Sequence, residues 1–208
     1  MRIVNSAIYH DLERGIPLKL NLGAGERTQP GFYNVDLVPL QGVDVVADLN
    51  LPLALIPDNC VTEIRSRHTL EHVRELLPLL AEIHRICVPD ARIEITTPHF
   101  SNPLGYSDPT HLRFFGLYTF HYFCDAADQP SRKVPGFYMP ERFRVESVRF
   151  NLMKRGIFDR IIHSVLQAAA DRSFRFMEWY ERRLCWMFPV SSIQYVLRPK
   201  KTATNVAA

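Results

Sequence analysis

Through the first hundred residues, short apolar runs end repeatedly in Gly, Asp, Asn or Pro. These runs predict strands over residues 17–22, 32–37, 43–47, 62–66 and 91–97. Residues 77–87 predict a helix, with Pro78 in its first turn, where a missing N–H costs little. Strands alternating with crossovers imply an α/β, doubly wound fold with a mostly parallel sheet. Further on, 142–152 and 191–198 predict a sixth and a seventh strand.

Between those last two strands the pattern changes again. Ile157, Phe158, Ile161, Ile162, Val165 and Leu166 recur at helical spacing, and Phe174, Phe176, Met177, Trp179, Tyr180, Leu184, Trp186, Met187 and Phe188 follow, interleaved with arginines. That is more apolar surface than one exposed helix carries. The expectation is a helical insertion over 157–188 that packs on the sheet edge or covers an acceptor pocket. An interfacial membrane helix and a dimer interface are the other readings.

Composition keeps this picture within one compact domain. The chain has 208 residues, 47% hydrophobic and 23% charged, so one domain spanning 1–208 can bury a substantial core. An Ala/Thr-rich flexible tail is expected over 202–208. No run approaches the roughly 20 apolar residues that span a bilayer, and the N-terminus lacks a signal-peptide pattern. Cys60, Cys87, Cys124 and Cys185 show no paired or metal-type spacing. Reduced thiols in a cytoplasmic protein are expected, with peripheral contact at the inner membrane face open through 157–188.

The formal net charge of +3 hides an asymmetry. Residues 1–130 hold 10 Lys/Arg against 16 Asp/Glu, and residues 131–208 hold 15 against 6. The basic part suits an anionic acceptor, nucleic acid or an acidic membrane face, or is simply the solvated side of helices and strand ends.

Candidate chemistry begins at Lys19-Leu-Asn-Leu-Gly23-Ala24-Gly25, an apolar run broken by two glycines, with Asp36 in Tyr33-Asn-Val-Asp-Leu37 at the end of the next strand. Glycines let backbone approach a ligand and accept positive φ. A carboxylate just beyond them can take both hydroxyls of a ribose.

Four further pieces follow in order: Ala47-Asp48-Leu49, then His68-Thr-Leu70-Glu71-His72, then Glu82-Ile-His-Arg-Ile, then Val88-Pro-Asp90-Ala-Arg-Ile-Glu-Ile95. Together the motifs resemble those of class I S-adenosylmethionine-dependent methyltransferases, strongly over residues 18–125. The resemblance implies a Rossmann-like fold with an antiparallel edge and S-adenosylmethionine as cofactor. It implies that Gly23, Ala24 and Gly25 cradle methionine and ribose, Asp36 takes the ribose hydroxyls and Leu37 lies against adenine. It also places Asp48 and Leu49 at the adenine edge, and His68 and Leu70 beside the sulfonium.

The sequence departs from the family in two places. Only ten residues separate Gly25 from Asp36, and they include the turn signal Pro30-Gly31. A crossover helix takes a dozen residues or more, so the first helix has little room. This form resembles a compact subgroup associated with glycan and cell-surface biosynthesis. Val88-Pro-Asp-Ala replaces the usual Lys-Pro-Gly-Gly, a change that a turn tolerates because Asp accepts turn geometry.

For catalysis, a histidine is the expected general base. His99 and His111 follow the fifth strand, with His111 favoured because Asp108 three residues earlier can orient it. Arg113 is a candidate for binding the acceptor. His68 and His72 lack the His-Glu-x-x-His order of zinc hydrolases, so no metal is expected.

The expected function is methyl transfer to a small or glycan-type acceptor, with oxygen as the favoured atom. Nucleic acid is not an expected partner, and the oligomeric state is open. Two alternatives remain. One is a nicotinamide-dependent oxidoreductase, disfavoured by the absent third glycine. The other is a non-catalytic adaptor that binds the cofactor and docks by its aromatic insertion.

Overall fold

The computed structural model describes residues 1–153 and 156–201, with side chains in the helix that begins at Gly156 described from Ile162 onward. The tail over 202–208 and the side chains of Ile157, Phe158 and Ile161 lie outside the described residues. In chain order the elements are β1 (Arg2–Ile3), α1 (Ala7–Glu13), β2 (Leu18–Leu22), β3 (Tyr33–Asp36), β4 (Val45–Val46), β5 (Val61–Arg67), α2 (Leu76–Ile86), β6 (Cys87–Pro98), β7 (Arg142–Leu152), α3 (Gly156–Arg172), α4 (Phe174–Arg183) and β8 (Val190–Lys200).

One eight-stranded sheet runs β1-β4-β3-β2-β5-β6-β8-β7. Strands β4, β3, β2, β5 and β6 are parallel. The antiparallel strand at the far side is β8, which sits one place in from the edge and pairs β6 and β7 antiparallel. At the other edge β1 runs antiparallel to β4. The sequence pattern had not predicted β1 or α1, because two residues and seven residues are too few to show a period.

Alternation along the strands divides the sheet into unlike faces. Leu18, Leu20, Leu22, Ile64, Ile93, Ile95, Ile193, Tyr195 and Leu197 are fully or almost fully buried. They share one core cluster with Ile8 of α1, with Leu79, Leu80 and Ile83 of α2 and with Met177 and Tyr180 of α4. The intervening residues are polar and pair with each other: Lys19 with Glu63 at 3.2 Å, Glu63 with Arg65 at 3.0 Å, and Arg92 with Glu94 at 3.0 Å. The connection over residues 23–32, between β2 and β3, is turns, as its length required. It lays the Phe32 ring against the polar face, 4.7 Å from the Arg65 guanidinium.

Two local features follow from the same economy. Asp90 takes a φ of 58°, absorbing the register shift between β5 and β6 where a glycine is usual. The edge strand β7 is blunted by α3: Gln167 donates to the Phe150 carbonyl at 2.6 Å and accepts from the Leu152 N–H at 3.2 Å. Unpaired edge groups invite another chain, and a side-chain amide here occupies them.

The insertion is therefore two helices with separate tasks. While α3 guards the edge, α4 packs on the apolar face, where Glu181 accepts from His99 Nε2 at 3.1 Å and from the Leu117 N–H at 2.7 Å. Tyr180 is fully buried and donates to the Phe188 carbonyl. Trp179, Trp186 and Met187 remain exposed. Among the described residues, no helix is long and apolar enough to cross a membrane.

Candidate active site

Parallel strands end together, so the loops leaving β2, β3, β4 and β5 converge at one end of the sheet. A cavity of about 340 Å³ opens there, lined by Gly23, Gly25, Asp36, Leu37, Asp48, Leu49, His68 and His72 among others. That size falls within the usual range for small-molecule pockets.

The turn after β2 makes the first wall. Gly23 has a φ of +69°, and a Cβ there would lie 2.1 Å from Thr69 Oγ1, so only glycine lets β2 and the His68–Thr69 loop meet. Gly25 has a φ of +51° with open space beside it. Its N–H donates to Asp36 Oδ2 at 2.8 Å, while the Val38 N–H donates to Asp36 Oδ1 at 3.0 Å. These two bonds fix the carboxylate at the lip of the cavity, with the side chain of Leu37 exposed next to it.

Asp48 lines the same cavity. Its Oδ1 accepts from the Asn50 N–H at 2.9 Å and from Asn50 Nδ2 at 2.8 Å. Asn50 in turn accepts from the Arg74 and Glu75 N–H groups at 2.8 and 3.1 Å. Asp48 is thus a turn cap and a cavity residue at once. His68 is held at a φ of 54°, a strained conformation for a residue with a Cβ.

Of the residues expected at the cofactor, two stand elsewhere. Leu70 is 0% exposed and belongs to the core, so its side chain does not reach the cavity. Ala24 lines a second cavity of about 370 Å³ on the polar face, beside Arg27, Arg65, Arg67, Glu94 and Gln194.

The residues expected in catalysis also separate. His99 is 1% exposed, with Nδ1 2.8 Å from Ser101 Oγ and Nε2 bound to Glu181. With both nitrogens engaged in the core, it is a fastener and not an acceptor-facing base. Arg113 spends its guanidinium on the carbonyls of Val73 at 3.1 Å and Arg74 at 2.6 Å, tying two loops together.

His111 does stand at the mouth, its ring in edge contact with that of His72 at 4.8 Å between centroids. Asp108 Oδ2 lies 3.6 Å from His111 Nε2, beyond hydrogen-bond length. Asp108 instead accepts from the Thr110 hydroxyl at 2.6 Å and the Thr110 N–H at 2.8 Å, and these bonds hold its carboxyl below the usual value. The Thr110 oxygen then meets His72 Nδ1 at 2.9 Å. Asp108 therefore orients His72 through Thr110, a histidine that sequence reasoning had set aside. Its signal was present in Leu70-Glu71-His72, which reads first as a strand-end motif.

No protein-family model matches the chain, and no curated protein matches it. Solved structures do. An S-adenosylmethionine-dependent methyltransferase from Archaeoglobus fulgidus is 17% identical, with 94% of each chain covered and a TM-score of 0.54. The YcgJ protein of Bacillus subtilis is 13% identical, covering 95% of this chain and 99% of its own, with a TM-score of 0.51. A methyltransferase-like protein of Bacillus halodurans, also 13% identical, covers 89% of this chain and 91% of its own at a TM-score of 0.50. The fold is that of the class I methyltransferases.

Proposed function

We propose that the chain is an S-adenosylmethionine-dependent methyltransferase acting on an oxygen of a small or glycan-type acceptor. The observation that carries the reading is one cavity lined together by two carboxylates, Asp36 and Asp48, and by Gly23 and Gly25. Two acceptor-only groups beside exposed apolar Leu37 match a ligand with ribose hydroxyls, an exocyclic amine and a flat base. The open space at Gly25 leaves room for that ligand against the backbone.

S-Adenosylmethionine supplies there a methyl group on sulfonium, which departs as a neutral thioether when an acceptor oxygen bonds the methyl carbon and loses its proton. The protein's share is alignment and reception of that proton. Asp36 and Asp48 fix the donor end, and His68 lines the same cavity. There Asp108, Thr110, His72 and His111 form the polar group that receives the acceptor's proton. Tyr106 and Phe114, both exposed with ring centroids 4.6 Å apart, offer an apolar surface on the same loop as Asp108, Thr110 and His111. Such a surface beside hydroxyl-binding groups suits a sugar ring.

The test is transfer of labelled methyl from S-adenosylmethionine to a panel of sugar, lipid-linked and phenolic acceptors. Labelled product from a hydroxyl-bearing acceptor is expected. Cofactor binding with no transfer to any acceptor would favour an adaptor, and label on amines alone would displace oxygen.

A further inference from the structure

We propose that Glu71, His72 and His111 form a binding site for one divalent transition-metal ion of the zinc or cobalt kind, at the mouth of the cavity. Each side chain offers one ligand atom, and these atoms lie within 4.8 Å of one another. An independent observation points to a cation. Glu71 is 1% exposed, yet neither carboxylate oxygen has a hydrogen-bond partner. His68 Nδ1 lies at an ion-pair distance of 3.4 Å from Glu71 Oε1. Burying a carboxylate without partners is costly, and the usual resolution is a bound cation or a paired charge. The guanidinium of Arg113 is committed to the Val73 and Arg74 carbonyls.

Each imidazole has the outer hydrogen bond that a metal-binding histidine needs to fix its tautomer. His111 Nδ1 lies 2.8 Å from the Gly105 carbonyl, which can only accept, so Nδ1 carries the proton and Nε2 keeps its lone pair. The Thr110 hydroxyl gives its hydrogen to Asp108, so its oxygen accepts from His72 Nδ1 and leaves that ring's Nε2 free as well. Two imidazoles with fixed tautomers and one carboxylate suit zinc-class ions, and three protein ligands leave a position open for an oxygen ligand. Backbone geometry supports the convergence: the Leu112 N–H donates to the Glu71 carbonyl at 2.8 Å, joining the two segments that carry the ligands.

The expectation of no metal rests on the His68/His72 spacing, whereas the proposed set pairs His72 with His111. His111 completes the set from a distant loop. What the ion would do rests on the methyl-transfer reading: it would acidify an acceptor hydroxyl bound at the open position, so that the O–H proton would pass to Asp108 and the oxygen's electron pair would form the bond to the methyl carbon as the carbon–sulfur bond breaks.

The full chain, stripped with a chelator, is titrated with Co²⁺ and with Zn²⁺ by calorimetry, and the Co²⁺ complex is read by visible absorption. One ion per chain is expected, weakened roughly tenfold or more in Glu71→Gln, His72→Ala and His111→Ala and unchanged in His10→Ala, a substitution on exposed α1. Absence of stoichiometric binding overturns the proposal, as does native-like binding by His72→Ala. Should buried Glu71→Gln misfold, exposed His72→Ala decides, with its thermal unfolding as control. Binding of S-adenosylhomocysteine is measured separately, so its failure would reject the methyltransferase reading without touching the metal result.

Discussion

In the cavity wall, the two carboxylates are held by near neighbours in sequence. Gly25 reaches Asp36 over 11 residues, and Asn50 reaches Asp48 over 2. At the mouth the separations are far longer, 38 residues from His72 to Thr110 and 40 from Val73 to Arg113, and beneath it the core fastener His99 reaches Glu181 over 82. The wall therefore forms once adjacent strands pair, whereas the mouth exists only when the loop after β6 is drawn shut. That closure is held from outside by α4 through Glu181. Binding the donor and processing the acceptor are thus separable by mutation.

The sharpest division is expected from His111→Ala. Turnover should fall roughly 100-fold or more while affinity for S-adenosylhomocysteine stays near native, because on the proposed reading the residue serves the acceptor at the mouth and does not hold the nucleotide. Steady-state kinetics beside product calorimetry reads both quantities. Parallel losses would show that wall and mouth are one unit.

Next comes Glu181→Ala, which leaves His99 Nε2 and the Leu117 N–H without their partner. A loss of about 1–3 kcal/mol in unfolding free energy is expected, and limited proteolysis should cut first between residues 99 and 123. Cutting within 23–50 instead would place the weak point in the wall.

The smallest effect concerns acid. Burial against Tyr118 and Phe174 pushes the His121 imidazole down to about 4. An unfolded histidine protonates near 6.5, so the unfolded chain takes up a proton first, and stability present above about pH 6.5 is lost as pH falls toward 4. Thermal midpoints between those values should fall less steeply in His121→Phe. An unchanged slope would assign the acid sensitivity to other groups, such as His84, which burial also pushes down.

The same contrast explains what was legible in the sequence. The strands of the parallel half announced themselves by apolar runs, and Gly23, Gly25, Asp36, Leu37, Asp48, Leu49 and His68 all follow a strand end directly, so placing the strands placed them. Leu70 failed because two residues further on the chain has already turned into the core. His72, Thr110 and Glu71 were missed as a group because nothing in local spacing tells that Leu112 will bond Glu71. His99 and Arg113 carried the right chemistry, but their partners, at Glu181 and at the Val73 and Arg74 carbonyls, lie far off in sequence. The polar face was likewise invisible until register paired Lys19 with Glu63 and Arg65 with Glu94.

The central claim is that the wall of Gly23, Gly25, Asp36 and Asp48 holds S-adenosylmethionine. Isothermal calorimetry of the native protein and Asp36→Ala with S-adenosylhomocysteine and with NAD tests it most directly. The native chain should bind S-adenosylhomocysteine far more tightly than NAD, and Asp36→Ala should lose about 1.5–3 kcal/mol of that binding, the worth of a charge-assisted hydrogen bond. Equal affinity in the mutant, or tighter binding of NAD by the native protein, would contradict it.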